Sequence, residues 1–236
     1  MGKRDDVRIV LLVAGRGVRL GSERPKCLTA FDGEGHTILD RQVDALARLS
    51  ARPIIAVTGY RSEQIQAAHP ELQTVLNARF AETNTSKSLL CALSELGVCD
   101  VLWLNGDVVF DPCIPPLVLG QPHSCMAVNR SVCGEEEIKY RTNSSGRMVE
   151  VSKTVEHGEG EAVGINLVKA TDLELFKRCL DRCADRDYFE RGLELAIQSG
   201  MQLYPVDIGE YPCVEIDFPE DLERARELFG EEERQR

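Results

Sequence analysis

The sequence has no CxxC pair, although it contains nine cysteines scattered from Cys27 to Cys213. An odd count without close pairs suggests neither a disulfide framework nor a zinc ribbon. Reduced thiols are the simpler expectation. Cys179 and Cys183 stand at helical i, i+4 spacing, but no further Cys or His lies nearby in sequence to complete a metal site. The four histidines, His36, His69, His123 and His157, show no catalytic spacing. No apolar stretch is long enough for a signal peptide or a membrane span, so a soluble cytoplasmic protein without a membrane partner is expected. An excess of positive charge is also missing: 28 Lys and Arg face 39 Asp and Glu, a net charge of −11. A general binder of nucleic acid polymers needs a phosphate-neutralising face and is disfavoured. A small anionic ligand stays open, because it responds to local charge rather than to the total. Repeats and low-complexity linkers are lacking too, and 43% hydrophobic with 28% charged residues is an ordinary globular composition.

What is present is unevenly placed. Residues 1–30 hold seven basic and three acidic side chains, whereas residues 204–236 hold eleven acids and four arginines. The run Val7 to Val13 is almost continuously apolar, as in a central strand covered on both faces. Thr37 opens a helix with Ile38, Leu39, Val43, Leu46 and Leu49 on one face. Strands are predicted at 53–57, 74–76 and 101–105, with helices over 61–68 and 86–96 between them. This alternation with short connections predicts an α/β fold with a doubly wound, mostly parallel sheet. Two strand-like runs, 137–142 and 147–152, flank Asn143-Ser144-Ser145-Gly146 and predict a small antiparallel hairpin. A strand over 162–168 and helices over 172–180, 188–198 and from Pro219 follow. The whole chain, 1–236, reads as one domain with an antiparallel insertion over about 124–168 and a solvated acidic tail at 231–236.

A loop rich in glycine and basic residues, Ala14-Gly15-Arg16-Gly17-Val18-Arg19-Leu20, leaves the first strand. Gly15 and Gly17 allow close backbone approach, and successive N–H groups in such a loop cradle phosphate oxygens. A dinucleotide fingerprint would need a third glycine where Leu20 stands, and an acid where Thr58-Gly59 ends the second strand. A Walker loop would need Gly-Lys-Ser/Thr, and Lys26 lies instead between Pro25 and Cys27. The segment from Leu12 to Leu20, followed by Pro25-Lys26-Cys27-Leu28, resembles the signature of nucleotidyltransferases with the GlmU-like, Rossmann-like α/β fold. The likeness continues at Asn84 to Leu89, Leu104-Asn105-Gly106-Asp107, Val151-Ser152-Lys153, Gly164-Ile165, and Glu215-Ile216-Asp217 with Pro219-Glu220-Asp221-Leu222. The ordered set is most similar to the small cytidylyltransferases that act on phosphocholine and phosphonates.

The resemblance implies transfer of CMP from CTP to a small anionic phosphonate or phosphate, with Mg²⁺ as cofactor and release of pyrophosphate. Lys26 and Arg16 would neutralise the triphosphate and the leaving pyrophosphate; a surface lysine is the plain alternative for Lys26. Arg19 shares the charge argument but could pin the loop. Ala14, Gly15, Gly17 and Gly106 would line the nucleotide. Asn84 and Ser88 would read the base, although both types also suit a helix start. Asp107 and Asp217 would hold Mg²⁺, a cation that takes oxygen ligands. Lys153 would act on the acceptor's anion, with Arg130, Lys139, Arg141, Glu161, Tyr188 and Glu215 around the acceptor. A homodimer is left open. Choline-type members place an aromatic residue, commonly Trp, just before the Glu-Ile-Asp segment, where this chain has Tyr211-Pro212-Cys213-Val214. The sole tryptophan, Trp103, lies in an apolar strand, leaving Tyr188, Phe189 and Tyr211 as incomplete material for a cage. The basic residues point instead to a compact anionic acceptor: a hydroxy- or aminoalkylphosphonate, or phosphonoformate. A phosphocholine or hexose-1-phosphate enzyme and a non-catalytic nucleotide-binding regulator are the alternatives.

Overall fold

The structure is a computed structural model, described here for residues 6–17, 20, 24–130, 137–209 and 211–233. Its first half alternates β1 (Val7–Leu12), α1 (Ile38–Leu46), β2 (Ile55–Thr58), α2 (Ser62–Ala68), β3 (Gln73–Leu76), α3 (Thr85–Ser94) and β4 (Asp100–Asn105). Then come β5 (Val108–Phe110), α4 (Ile114–Leu119), β6 (Ser124–Asn129), β7 (Lys139–Thr142), β8 (Met148–Ser152) and β9 (Glu161–Val168). The chain ends with α5 (Ala170–Arg182), α6 (Phe189–Gln198), β10 (Leu203–Asp207), β11 (Cys213–Glu215) and α7 (Pro219–Glu233). No helix among the described residues is long and apolar enough to cross a membrane.

The main sheet runs β10-β6-β9-β4-β1-β2-β3. Neighbours are parallel except β9, which is antiparallel to both β4 and β6. Strand β1 is buried on both faces, as its apolar run predicts. Ile9 and Leu11 join the core under α1 and α4, while Val10 and Leu12 join the core under α3, α5 and α6. Trp103 on β4 is fully buried in this second core, stacked on Phe176 with ring centroids 5.3 Å apart. Helix α1 starts where Thr37 forms a capping box with Asp40, so its first orphan N–H groups are satisfied.

A second sheet of two strands, β5 and β11, stands apart and pairs Val214 with Val109 and Glu215 with Val108. Its apolar side chains, Val109 and Val214, pack with Phe31, Ile38, Ile216, Leu222, Ala225 and Phe229 beneath α7. Arg226 of α7 ties this unit to the body by donating to the carbonyl oxygens of Phe31 and Ala30. Three residues per strand are too few for a periodicity signal, which is why this ladder is not evident in the sequence.

Antiparallel pairing runs through residues 124–168, between β6 and β9 and between β7 and β8. Strands β6 and β9 are integral to the main sheet, and only the β7–β8 hairpin lies off its path. That hairpin carries the predicted turn at Asn143–Gly146, where Asn143 Oδ1 accepts from the N–H groups of Ser145 and Arg147. In the expected tail, Glu231–Glu233 extend α7, and residues 234–236 lie outside the described residues. Gly106 joins β4 to β5 where the backbone crosses the end of β1. Its N–H donates to Leu12 O, and an added Cβ would lie 2.6 Å from that oxygen and 2.4 Å from Val13 Cγ1. Gly106→Ala is therefore expected to cost about 1–3 kcal/mol, a fall of several degrees in Tm on thermal denaturation.

Candidate active site

The site is built at the edge of the sheet where β1 and β4 end, the place where open α/β sheets receive ligands. Asp107 follows β4, and Asp217 follows β11. The ladder between β5 and β11 brings them together, and the N–H of Ile216 donates to Asp107 O at 2.9 Å. Asp217 is fixed in turn by Asp221, whose Oδ2 accepts from the N–H groups of Asp217 and Phe218 at the start of α7. Asp221 thus satisfies the backbone N–H groups at this helix start.

Lys26 lies between these two carboxylates. Its Nζ is 2.8 Å from Asp107 Oδ2 and 2.6 Å from Asp217 Oδ1, and only 12% of its side chain is exposed. A plain surface lysine is excluded. Pro25 holds the approach extended, and a single 3₁₀ turn, Lys26–Leu28, buries Cys27 and Leu28 so that Lys26 faces the carboxylates. Gly17 makes room for it: φ is +59° there, and an added Cβ would come within 2.4 Å of Lys26 Cβ. Burial acts to lower the Lys26 pKa, but Asp107 and Asp217 outweigh it and the net shift is upward. The lysine is held charged.

Glu215 completes a cluster. Ligand oxygens of Asp107, Glu215 and Asp217 all lie within 4.8 Å of one another. Asp107 Oδ1 is buried with no hydrogen-bond partner among the described residues. Loss of hydration, then the like charges of Asp107 and Asp217, push the Glu215 pKa well above the ordinary carboxylate range, against the pull of Lys26. An all-oxygen donor set with an orphaned buried oxygen and excess negative charge fits a hard divalent cation. Glu215, placed beside the acceptor from sequence, sits with the two aspartates.

The glycine loop lies on the other side of Lys26. Ala14 O accepts from the N–H of Tyr60, and the Arg16 guanidinium lies over the Tyr60 ring at 5.2 Å. Arg61 lies over the same ring at 5.4 Å. Sequence reasoning passed over Tyr60 and Arg61; the one signal was Gly59, the only residue type that fits beside Ala14 O there. Gly15 is exposed, with nothing within 4 Å of an added Cβ. Val18 and Arg19 lie outside the described residues.

Asn84 and Ser88 are both engaged in structural hydrogen bonds. Asn84 is the N-cap of α3: its Oδ1 accepts from Thr85 N–H at 2.8 Å, and its Nδ2 donates to Arg186 O. Ser88 is buried and accepts from Asn77 Nδ2 at 3.0 Å. Asn77 also donates to Thr83 Oγ1, which makes it the hub of this segment.

The expected acceptor residues divide. Arg141 pairs with Glu150 across the β7–β8 ladder at 2.8 Å, an exposed surface pair away from the carboxylates. Arg130 is exposed, with its Nε 3.4 Å from Asp207 Oδ2 at the β6–β10 edge. Lys139 stands opposite Glu161 in the sheet register, and burial followed by the charge of Glu137 raises the Glu161 pKa. Lys153 Nζ lies 5.8 Å from the centre of the Tyr188 ring, which is 49% exposed. Phe189 is unavailable for a cage, because it is buried edge-on against Trp103. Glu190, not singled out from sequence, is buried beside them, and burial pushes its pKa up to about 7 against the pull of its own N–H and of Lys153.

Residues 9–128, just over half of the chain, match the family model of the MobA-like NTP transferase domain. The CMP-5'-(3-aminopropyl)phosphonate synthase of Streptomyces rubellomurinus is 27% identical over 247 residues, covering 95% of this chain. The chain spans 39% of that protein's length. Among solved structures, the inositol-1-phosphate CTP transferase of T. maritima superposes with a TM-score of 0.78 at 19% identity, covering 98% of this chain and 97% of that one. The CTP:phosphocholine cytidylyltransferase of Streptococcus pneumoniae gives 0.75 at 17% identity, covering 95% and 99%. The fold is that of these nucleotidyltransferases, and the chain belongs to the MobA-like NTP transferase family.

Proposed function

We propose that the protein is a cytidylyltransferase that moves CMP from CTP to a small phosphonate or phosphorylated alcohol and releases pyrophosphate. The observation that carries this reading is the Lys26 ammonium held 2.8 and 2.6 Å from Asp107 and Asp217, beside the glycine loop. In the reaction an acceptor oxygen forms a bond to the α-phosphorus as the bond to the bridging oxygen of pyrophosphate breaks. Both partners are anions, so the protein's task is to offset charge and align them. Lys26 and Arg16 supply positive charge where the leaving group gains negative charge. The backbone at Ala14, Gly15 and Gly17 offers an approach that side chains would block. A phosphonate or phosphate oxygen is already ionised near neutral pH, so no general base is needed at the acceptor.

Asp107 and Asp217, with Glu215 in reach, would hold Mg²⁺. When bound, the ion supplies a hard positive charge that orients phosphate oxygens and lowers their repulsion. The name of the Streptomyces relative supports a CMP–phosphonate product, and the CTP-using proteins of like fold support the nucleotide. Exposed Tyr188 and Tyr211 keep phosphocholine as a second reading. It is disfavoured because Trp103 and Phe189, which could complete an aromatic cage, are buried in the core.

A panel of the four nucleoside triphosphates against phosphonates, phosphocholine and glucose-1-phosphate, read by Mg²⁺-dependent pyrophosphate release, tests the proposal. Turnover with CTP and a phosphonate is expected. Turnover only with UTP and a sugar phosphate would refute it. Lys26→Ala is expected to lower kcat by roughly 10²–10³ in steady-state kinetics; near-normal turnover would remove Lys26 from the chemistry. Gly15→Ala is expected to leave Tm unchanged, since the Cβ meets nothing. The same change is expected to raise KM for CTP, because the added methyl group occupies the phosphate's approach.

A further inference from the structure

Glu190 is the second residue of α6 and is only 8% exposed. Acids in a first helical turn are ordinarily solvated, where the helix dipole favours them. This one is folded inward, and its Oε2 has no hydrogen-bond partner among the described residues. A buried carboxylate in that condition forfeits hydration without compensation. It lies next to Phe189, which packs edge-on to Trp103 with ring centroids 5.6 Å apart. Trp103 Nε1 is likewise buried without a partner, as are both amide atoms of Asn166, the residue opposite Trp103 in the β4–β9 register. Unpaired polar atoms are thus grouped in the layer between the sheet and α6.

The start of α6 lies at the edge of the sheet that carries the site. The N–H of Phe189 donates to Thr85 Oγ1, and the N–H of Ser86 donates to Asp187 O, so α6 starts beside the start of α3. Lys153 leaves the end of β8 and lies over the exposed ring of Tyr188, two residues before Glu190, close enough for its charge to act on that carboxyl. An exposed aromatic ring and an exposed ammonium thus lie near the buried carboxyl.

We propose that Glu190 receives the ammonium group of an amino-terminated acceptor whose phosphonate is held by Lys153. The assignment rests on the cytidylyltransferase reading above. It selects among the acceptors that reading allows. A primary ammonium brings both the opposite charge and an N–H donor that Oε2 lacks. A hydroxyl brings a donor but no charge, a quaternary ammonium brings charge but no N–H, and the carboxylate of phosphonoformate would be repelled.

The test compares 3-aminopropylphosphonate, 3-hydroxypropylphosphonate and propylphosphonate with the wild type, Glu190→Gln and Glu190→Asp. Pyrophosphate release from CTP is measured, and calorimetric binding of 3-aminopropylphosphonate is measured separately. The wild type is expected to prefer the amino acceptor at least tenfold in kcat/KM. Glu190→Gln is expected to raise KM for that acceptor at least tenfold, with KM for CTP and turnover of propylphosphonate unchanged. Glu190→Asp should recover part of the loss. Melting of Glu190→Gln at pH 8, expected at or above the wild-type temperature, shows that the fold is intact. Equal use of amino and hydroxy acceptors by the wild type, or an equal loss for both in Glu190→Gln, overturns the assignment. No pyrophosphate release with any acceptor would sink the cytidylyltransferase reading alone. Binding of 3-aminopropylphosphonate to the wild type but not to Glu190→Gln would still support the role of Glu190, and equal binding to both would end it.

Discussion

The short antiparallel ladder between β5 and β11 is the constraint on which the site depends. Asp107 and Asp217 are separated by more than a hundred residues, yet both lie within 3 Å of one lysine nitrogen. Three ladder pairs and the Ile216 N–H bond to Asp107 O set that distance. The ladder is too small to stand alone, because two short strands are marginal without a covering layer. Helix α7 supplies the cover through Leu222, Ala225 and Phe229, and Arg41 lies over the rings of Phe31 and Phe229 at 4.6 and 5.4 Å. Packing far from the chemistry therefore sets the position of its charges.

The charges themselves are in tension. Three carboxylates gathered in so small a space repel one another, and Lys26 offsets part of that repulsion. The site thus has a negative cluster on one side of Lys26 and the glycine loop on the other. The same tension recurs on a smaller scale at Glu190, a buried acid with an unpaired oxygen. In both places the fold keeps the desolvation cost of a buried, incompletely satisfied carboxyl.

Much of the sheet is legible from periodicity. The apolar run at β1, the Thr37 capping box and the Asn143–Gly146 hairpin each rest on local chemistry that tertiary contacts reinforce. Lys26, Asp107 and Asp217 could be named from the resemblance of their motifs to those of the nucleotidyltransferases, which also implied that the two aspartates converge. The β5–β11 pairing that brings them together could not be named, because it carries no local signal. The same limit explains the residues that changed role. Glu215 reads as an acceptor group until the ladder sets it beside the aspartates. Asn84 and Ser88 read as base contacts until Asp185–Asp187 and Asn77 claim their hydrogen bonds. Arg141 reads as a ligand cation until the hairpin register places Glu150 opposite it. Glu190 gave no signal at all, because burial of one acid in a helix start depends on what packs against it.

The order of the chain adds a consequence in time. Lys26, the glycine loop and Asp107 emerge from the ribosome before β11, and the parallel strands that carry them can pair first. Asp217 arrives with β11, more than a hundred residues after Asp107, and α7 follows it. A nascent chain that has not reached β11 thus holds Lys26 with one of its two aspartates. The docking of β11 acts as a completion check, keeping the carboxylate pair unassembled until that strand has been made.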